Sequence, residues 1–171
     1  MKSEGLPLSA ALENRRKAII QRWIERMLQT YPEPATEFLS QERDAFRNPI
    51  GHTLKDGLSA LFDGLIRAAD VASLTPSLEA IVRIRAVQDF TAGEAVSFPF
   101  LLKQIIRTEF AAEAARYSDE LAAVEERIDA MALLAFDLYM KCRERIFEAK
   151  ANETRRSIFM FERARQKQQS S

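Results

Sequence analysis

The feature that most constrains this chain is the absence of glycine and proline from Ser118 to the C-terminus. Because these two residues most often end helices, one helix is expected to run from Ser118-Asp119 for up to about 47 residues, roughly 70 Å at 1.5 Å per residue. That length exceeds the diameter of a domain formed by 171 residues. Part of the helix is therefore expected to project or to pack on another chain.

The first half of this long helix carries apolar residues at the a and d spacing of a heptad repeat. This pattern predicts either a face buried in the domain or the seam of a homodimer. The seam residues are Leu121, Val124, Ile128, Met131, Ala135, Leu138 and Cys142.

The second half of the helix is predicted to be a basic amphipathic extension over residues 143–171. From Lys141 to Ser171 the chain has nine Lys or Arg against four Asp or Glu. The extension is expected to bind a partner helix or an anionic membrane surface, with a solvated tail that continues the dimer seam as an equal alternative. The residues expected to make these contacts are Ile146, Phe147, Arg155, Arg156, Phe159 and Phe161.

Residues 1–142 are predicted to form one all-α domain, a helical bundle, because apolar residues recur with a period of 3.6 and not of two. Helix starts are expected at three places: Asn48-Pro49, Thr75-Pro76 and the capping box of Thr91 and Glu94. The apolar residues from Leu12 to Leu28 are expected to lie on one continuous first helix. Pro99, inside the expected fourth helix, predicts a kink.

Composition excludes several classes of protein. The formal net charge is zero, which does not favour nucleic acid as a partner. A single cysteine, Cys142, rules out an intrachain disulfide and favours a reducing compartment. The N-terminal residues do not resemble a signal peptide, and no run of about 18 apolar residues occurs. A cytoplasmic location is therefore expected.

His52 is the single histidine and the one candidate cofactor-binding residue. It could ligate haem or act as a general base, but a polar residue at a helix start is the simpler interpretation. One His and one distant Cys do not make a metal site, and a nucleophile with its base is not recognisable. No cofactor is therefore expected, and the chain is predicted not to be an enzyme.

Two further groups of residues have open interpretations. The basic side chains of Arg83, Arg85, Arg107 and Lys103 could bind an anion, or they could pair with the nearby acids Glu79, Asp89 and Glu109. A set of residues with ring side chains could either line an apolar pocket or simply fill the core of the domain. These are Phe46, His52, Phe62, Phe90, Phe98 and Phe100.

Two segments, Phe38 to Leu54 and Ile81 to Lys103, together with the Trp23 helix and Tyr31-Pro32, resemble the N-terminal domain of RsbRD-type RsbT co-antagonist proteins. The likeness covers about residues 10 to 145. The residues that carry its motifs are Arg47, Asn48, Pro49, Gly51, His52, Arg83, Arg85, Gln88, Asp89 and Phe90.

The resemblance implies a dimeric, globin-like helical input module that signals by protein contacts and has no catalytic role. In that family the domain precedes an output domain through a long helix, and here a stand-alone copy is expected. The leading interpretation is a regulatory module with a regulatory protein partner. A small-ligand or haem sensor, and an adaptor that acts at a membrane surface or in a complex through the extension, are the alternatives.

Overall fold

The structure, a computed structural model, describes residues 6–31, 48–88 and 90–169. These residues form α-helices and 3₁₀ turns and contain no β-strand, which confirms the predicted all-α class and the long C-terminal helix. The 3₁₀ turns span Val71–Leu74 and Ala111–Glu113. The helices are α1 (Leu8–Asn14), α2 (Arg16–Leu28), α3 (Pro49–Ile66), α4 (Thr75–Ala86), α5 (Ala92–Ala95), α6 (Phe98–Glu109) and α7 (Ser118–Gln169).

Helix α7 is the longest helix and packs mainly on α4 and α6. It has 52 residues, about 78 Å at 1.5 Å per residue, and is therefore longer than the expected length of about 47 residues. Its first half lies against α4 and α6, while α2 packs on α6 and α3, and α3 packs on α4. The core between these helices holds the fully buried Trp23, Phe62, Phe98 and Phe110. A shared apolar core of this kind stabilises the helices together, because each buries an apolar face.

The predicted single N-terminal helix is wrong, because Arg15 separates α1 from α2. The Arg15 guanidinium donates to the carbonyl oxygen of Glu109 at 2.8 Å and pairs with the Glu113 carboxylate at 2.5 Å. It also lies 4.3 Å from the centre of the Phe110 ring. These contacts are made with the end of α6 and the turn after it, so no local sequence pattern signals them.

The predicted helix starts hold at Asn48, which caps α3, and at Thr91, whose capping box with Glu94 is complete. The helix start predicted at Thr75-Pro76 is also confirmed, because α4 begins at Thr75. Thr75 is itself the first helical residue and not the cap, and its hydroxyl donates to the carbonyl of Ala72 at 2.7 Å instead of accepting from the helix.

The kink predicted at Pro99 is also wrong. The expected fourth helix is two helices, α5 and α6, and α6 begins at Phe98. Pro99 therefore lies in the first turn of α6. There its missing N–H has no intrahelical acceptor to lose.

Candidate functional site

The predicted seam of α7 faces the interior of this chain's own bundle. Leu121 is half-buried, and the other six residues, from Val124 to Cys142, are at most 7% exposed. They belong to the core that α7 shares with α4 and α6. Their role between two chains stays a prediction, and the chain's own helices already cover this face. A partner would find its contacts on another face of α7.

A second apolar face of α7 is open to solvent, and sequence reasoning missed most of it. Its residues are spaced by three, four, seven or eleven positions, which places them on one side of a helix with about 100° between residues. We call this face the outer stripe. It comprises Leu133 (71% exposed), Phe136 (42%), Met140 (40%), Phe147 (74%), Ile158 (55%) and Phe161 (74%).

The two apolar faces of α7 lie about a third of a turn apart. The inner face ends at Cys142, with Ile146 half-buried just beyond. The outer stripe begins within the bundle at Leu133 and continues to Phe161. Monomeric proteins rarely leave a contiguous apolar stripe of this length exposed, and such patches mark interaction surfaces. The sequence signal for this face is a second heptad repeat, because Leu133, Met140, Phe147 and Phe161 are separated by seven or fourteen residues.

The residues predicted to form the partner-binding extension do not share one face. Phe147 and Phe161 lie on the outer stripe, whereas Phe159 is exposed on another side of the helix. Arg155 and Arg156 are exposed, with Arg155 beside the stripe and Arg156 away from it. The extension begins without a break in α7, and the domain boundary at residue 142 stays a prediction.

Arg85, one of the motif residues, is completely buried. Its guanidinium donates to the carbonyl oxygens of Ala95 (2.9 Å) and Glu94 (2.8 Å) and to the Thr30 hydroxyl (3.1 Å). The ring of Phe90 lies 4.2 Å from the guanidinium carbon, and the ring of Tyr31 lies 5.1 Å away. The charge is thus held between π faces and carbonyl dipoles, which lowers its cost of burial.

This cluster ties three parts of the chain together. Arg85 lies in the last turn of α4, its carbonyl partners belong to α5, and Thr30 follows α2. Burial lowers the pKa of the Arg85 guanidinium, and the neighbouring Tyr31 and Glu94 oppose that change. Since an arginine remains protonated even after a substantial fall in pKa, the cluster holds a permanent charge. We interpret Arg85 as a structural clamp.

The motif around Asn48 forms the start of α3, and three of its residues, Asn48, Pro49 and Gly51, shape that helix end. The Asn48 side chain accepts a hydrogen bond from the backbone N–H of Gly51 at 2.8 Å, and Pro49 occupies the first turn of α3. A Cβ on Gly51 would lie 2.3 Å from the Asn48 amide nitrogen. Glycine is therefore needed so that the capping side chain can fold over the helix end. Arg47 and Asp89, also predicted from the motif, lie outside the described residues.

Replacing Gly51 by alanine should displace the Asn48 cap and lower the free energy of unfolding by about 1–2 kcal/mol. Gly93 gives a matched control, because a Cβ there would meet nothing within 4 Å. Urea unfolding followed by circular dichroism should show the loss for Gly51→Ala and no loss for Gly93→Ala. Equal effects of the two substitutions would contradict this account of the motif.

The other predicted ligand or pocket residues lie in different environments. His52 is half-buried in the first turn of α3, and its haem role stays a prediction. Phe62 and Phe98 are core residues, Phe90 covers Arg85, and Phe100 is 44% exposed on α6. Phe46 lies outside the described residues. The described members of this ring set therefore do not share one environment.

The basic residues considered for an anion site mostly have acidic partners. Arg83 pairs with Glu79 at 3.0 Å within α4. Between α6 and α7, Lys103 pairs with Asp129 at 2.9 Å and Arg107 with Glu125 at 2.5 Å. These pairs favour the interpretation of ion pairing over anion binding. Gln88 is half-buried beyond the end of α4.

The part of the chain that the structure describes has neither a cluster of metal-binding side chains nor a helix that could cross a membrane. Within those residues, no group of three or more His, Cys, Asp or Glu side chains is arranged to hold a metal ion. None of the helices described there combines the length and the apolar character that crossing a bilayer requires.

Comparison with known proteins gives a family match. The model of the RsbT co-antagonist protein rsbRD N-terminal domain matches residues 17–154. A protein of Archaeoglobus fulgidus, described as an uncharacterized protein, is 25% identical over 147 residues, which cover 85% of this chain and 88% of that protein. No solved structure matches the chain.

Proposed function

Because this chain belongs to the RsbT co-antagonist protein RsbRD N-terminal domain family, a family of regulatory sensor domains, we propose that it is a non-catalytic input module acting through protein contacts. The observation that carries the proposal is the double apolar face of α7. One face is part of the bundle core, and the other is exposed for about 28 residues, from Leu133 to Phe161.

A helix with these two faces can link the state of the bundle to an external partner. The inner face touches α4 and α6, and packed cores change between discrete arrangements instead of deforming continuously. A shift or rotation of α7 against those helices would move the outer stripe as well, because both faces belong to one rigid helix. The Arg85 clamp lies close to the contact between α4 and α7, because Arg143 of α7 donates to the carbonyl of Ala86, the residue after Arg85, at 3.0 Å.

A second copy of the chain and a regulatory protein are the partners that we propose for the outer stripe. A second copy supplies apolar area against Leu133, Met140 and Phe147 through its own outer stripe. A membrane surface fits less well near the end of α7, because the four consecutive residues Ile158 to Phe161 are all exposed. They project on every side of the helix, whereas a helix lying on a membrane buries one side.

Affinity capture from the native host tests the proposed function directly. The wild-type chain should retain a specific protein partner, and Phe161→Asp, which places a charge on the outer stripe, should reduce its recovery at least tenfold. Phe159→Asp is the matched control, since Phe159 is equally an exposed phenylalanine of α7 but lies off the stripe. Recovery that is unchanged by Phe161→Asp, or reduced equally by both variants, would contradict a protein contact at the stripe.

A further inference from the structure

A shallow groove lies beside the first turns of α7. Its volume is about 500 Å³, and the small side chains of Ala122 and Ala123 form part of its lining. Four carboxylates and one ammonium group complete the lining, so the groove carries a net negative charge. The charged residues are Asp119, Glu125, Glu126, Asp129 and Lys103. Lys103 is already paired with Asp129 and lies 3.7 Å from Glu125.

The other end of the same helix has the opposite character. Residues 143–169 contain eight Lys or Arg against four Glu, and they include five large, exposed apolar residues: Phe147, Ile158, Phe159, Met160 and Phe161. Basic aromatic segments complement acidic grooves with small residues, both in charge and in volume. Helix α7 is continuous, and Phe161 lies about 58 Å along it from Ala122. The extension therefore cannot reach the groove of its own chain.

We propose that two copies pair through their outer stripes with the α7 helices antiparallel, so that the extension of each lies in the acidic groove of the other. This proposal rests on the homodimer of the proposed function and adds its orientation and its contacts. A two-fold axis beside Lys141 and Cys142 places Phe147 opposite Phe136 of the second copy. The same axis brings Phe161 to the level of Ala122, a large side chain against a small one.

The charges near the outer stripe support this orientation. With the same axis, Arg155 comes to the level of Glu126 and Asp129 of the second copy, and Arg165 to the level of Asp119. A parallel pair would instead place Asp129 against Asp129 and Arg165 against Arg165, and it would leave both grooves empty. The antiparallel pair is isologous, so one set of contacts is formed twice and the assembly closes.

The area available is sufficient for a stable pair. Six large apolar side chains of each copy, between 40% and 74% exposed, contribute about 100 Å² each, since a large aromatic side chain can bury 150–250 Å². With the flanking polar residues, this approaches the roughly 800 Å² per partner of a standard interface.

Spin-label distances in the full chain test the orientation. A label at Phe159→Cys, in a Cys142→Ala background, lies off the stripe and far from the proposed axis. The antiparallel pair predicts a separation of about 50 Å between the two labels, whereas a parallel pair predicts less than about 20 Å. A label at Lys141→Cys should give a short distance in either case, which shows that pairs are present.

Short distances at both positions would overturn the antiparallel arrangement and leave the proposed function standing. The absence of a dipolar signal at both positions would overturn the pairing itself. The outcome of affinity capture with Phe161→Asp is independent of the orientation, so failure of the two proposals can be told apart.

A charge exchange provides the second measurement. Glu126→Lys alone and Arg155→Glu alone should each weaken pairing about tenfold at low salt, and the two changes in one chain should restore it. Arg156→Glu is the control, because Arg156 points away from the stripe and should leave pairing unchanged. If the double variant pairs no better than the single variants, the contact between the two charges is not formed.

Discussion

Replacement of Arg85 by alanine is expected to lower the free energy of unfolding by about 3–5 kcal/mol. The substitution leaves the buried carbonyl oxygen of Ala95 without the Arg85 donor, and a buried polar group without a partner costs about 1–3 kcal/mol. It also removes a large side chain from a fully buried position between the rings of Tyr31 and Phe90. The resulting cavity adds to the loss.

Urea unfolding measures this effect, with the fluorescence of the buried Trp23, the single tryptophan of the chain, as the signal. Arg83→Ala is the matched control, because Arg83 is exposed and pairs with Glu79 at the surface, where such pairs contribute about 0–1 kcal/mol. Arg85→Lys should recover little of the lost stability, since an ammonium group cannot form the set of hydrogen bonds that the planar guanidinium makes. A loss below 1 kcal/mol for Arg85→Ala would contradict the assignment of Arg85 as a structural clamp.

Replacement of Trp23 by alanine is expected to cost about 3–5 kcal/mol, the range for loss of a large buried aromatic residue. Trp23 is completely buried, its indole N–H donates to the carbonyl of Phe98 at 2.7 Å, and its ring stacks on that of Phe98 at 6.5 Å. These contacts join α2 to the start of α6. Circular dichroism during urea unfolding measures the change.

Trp23→Phe separates the hydrogen bond from the packing. A phenylalanine retains most of the ring contacts but lacks the indole N–H that donates to the Phe98 carbonyl, so a smaller loss is expected, of which the hydrogen bond accounts for about 0.5–1.5 kcal/mol. Equal losses for Trp23→Phe and Trp23→Ala would show that the ring contributes little, contrary to the packing described above.

The parts of the fold that could be predicted are those fixed by local chemistry. Asn48 and Thr91 cap helices because their side chains reach backbone groups only three residues away. The long α7 follows from an uninterrupted run of residues that tolerate helix. The break at Arg15 could not be predicted in this way, because its partners Glu109 and Glu113 are about a hundred residues distant.

The candidate site was harder to predict, for a related reason. Helix α7 has two apolar phases, and the period of a sequence does not reveal which phase the other helices will cover. The regular phase from Val124 to Cys142 is covered by α4 and α6, and the outer stripe from Leu133 to Phe161 is left exposed. Similarly, the motif indicated that Arg85 matters but not that Ala95 and Glu94 would accept its hydrogen bonds.

The central claim, that the outer stripe is a contact surface between two copies of this chain, is tested most directly by the mass of the particle in solution. Light scattering at tens of micromolar protein should give twice the chain mass of 19.5 kDa for the wild-type chain. Phe147→Asp should give the mass of a single chain with unchanged helix content, and Phe159→Asp should remain paired. A wild-type particle with the mass of one chain, or a Phe147→Asp variant that stays paired, would contradict the claim.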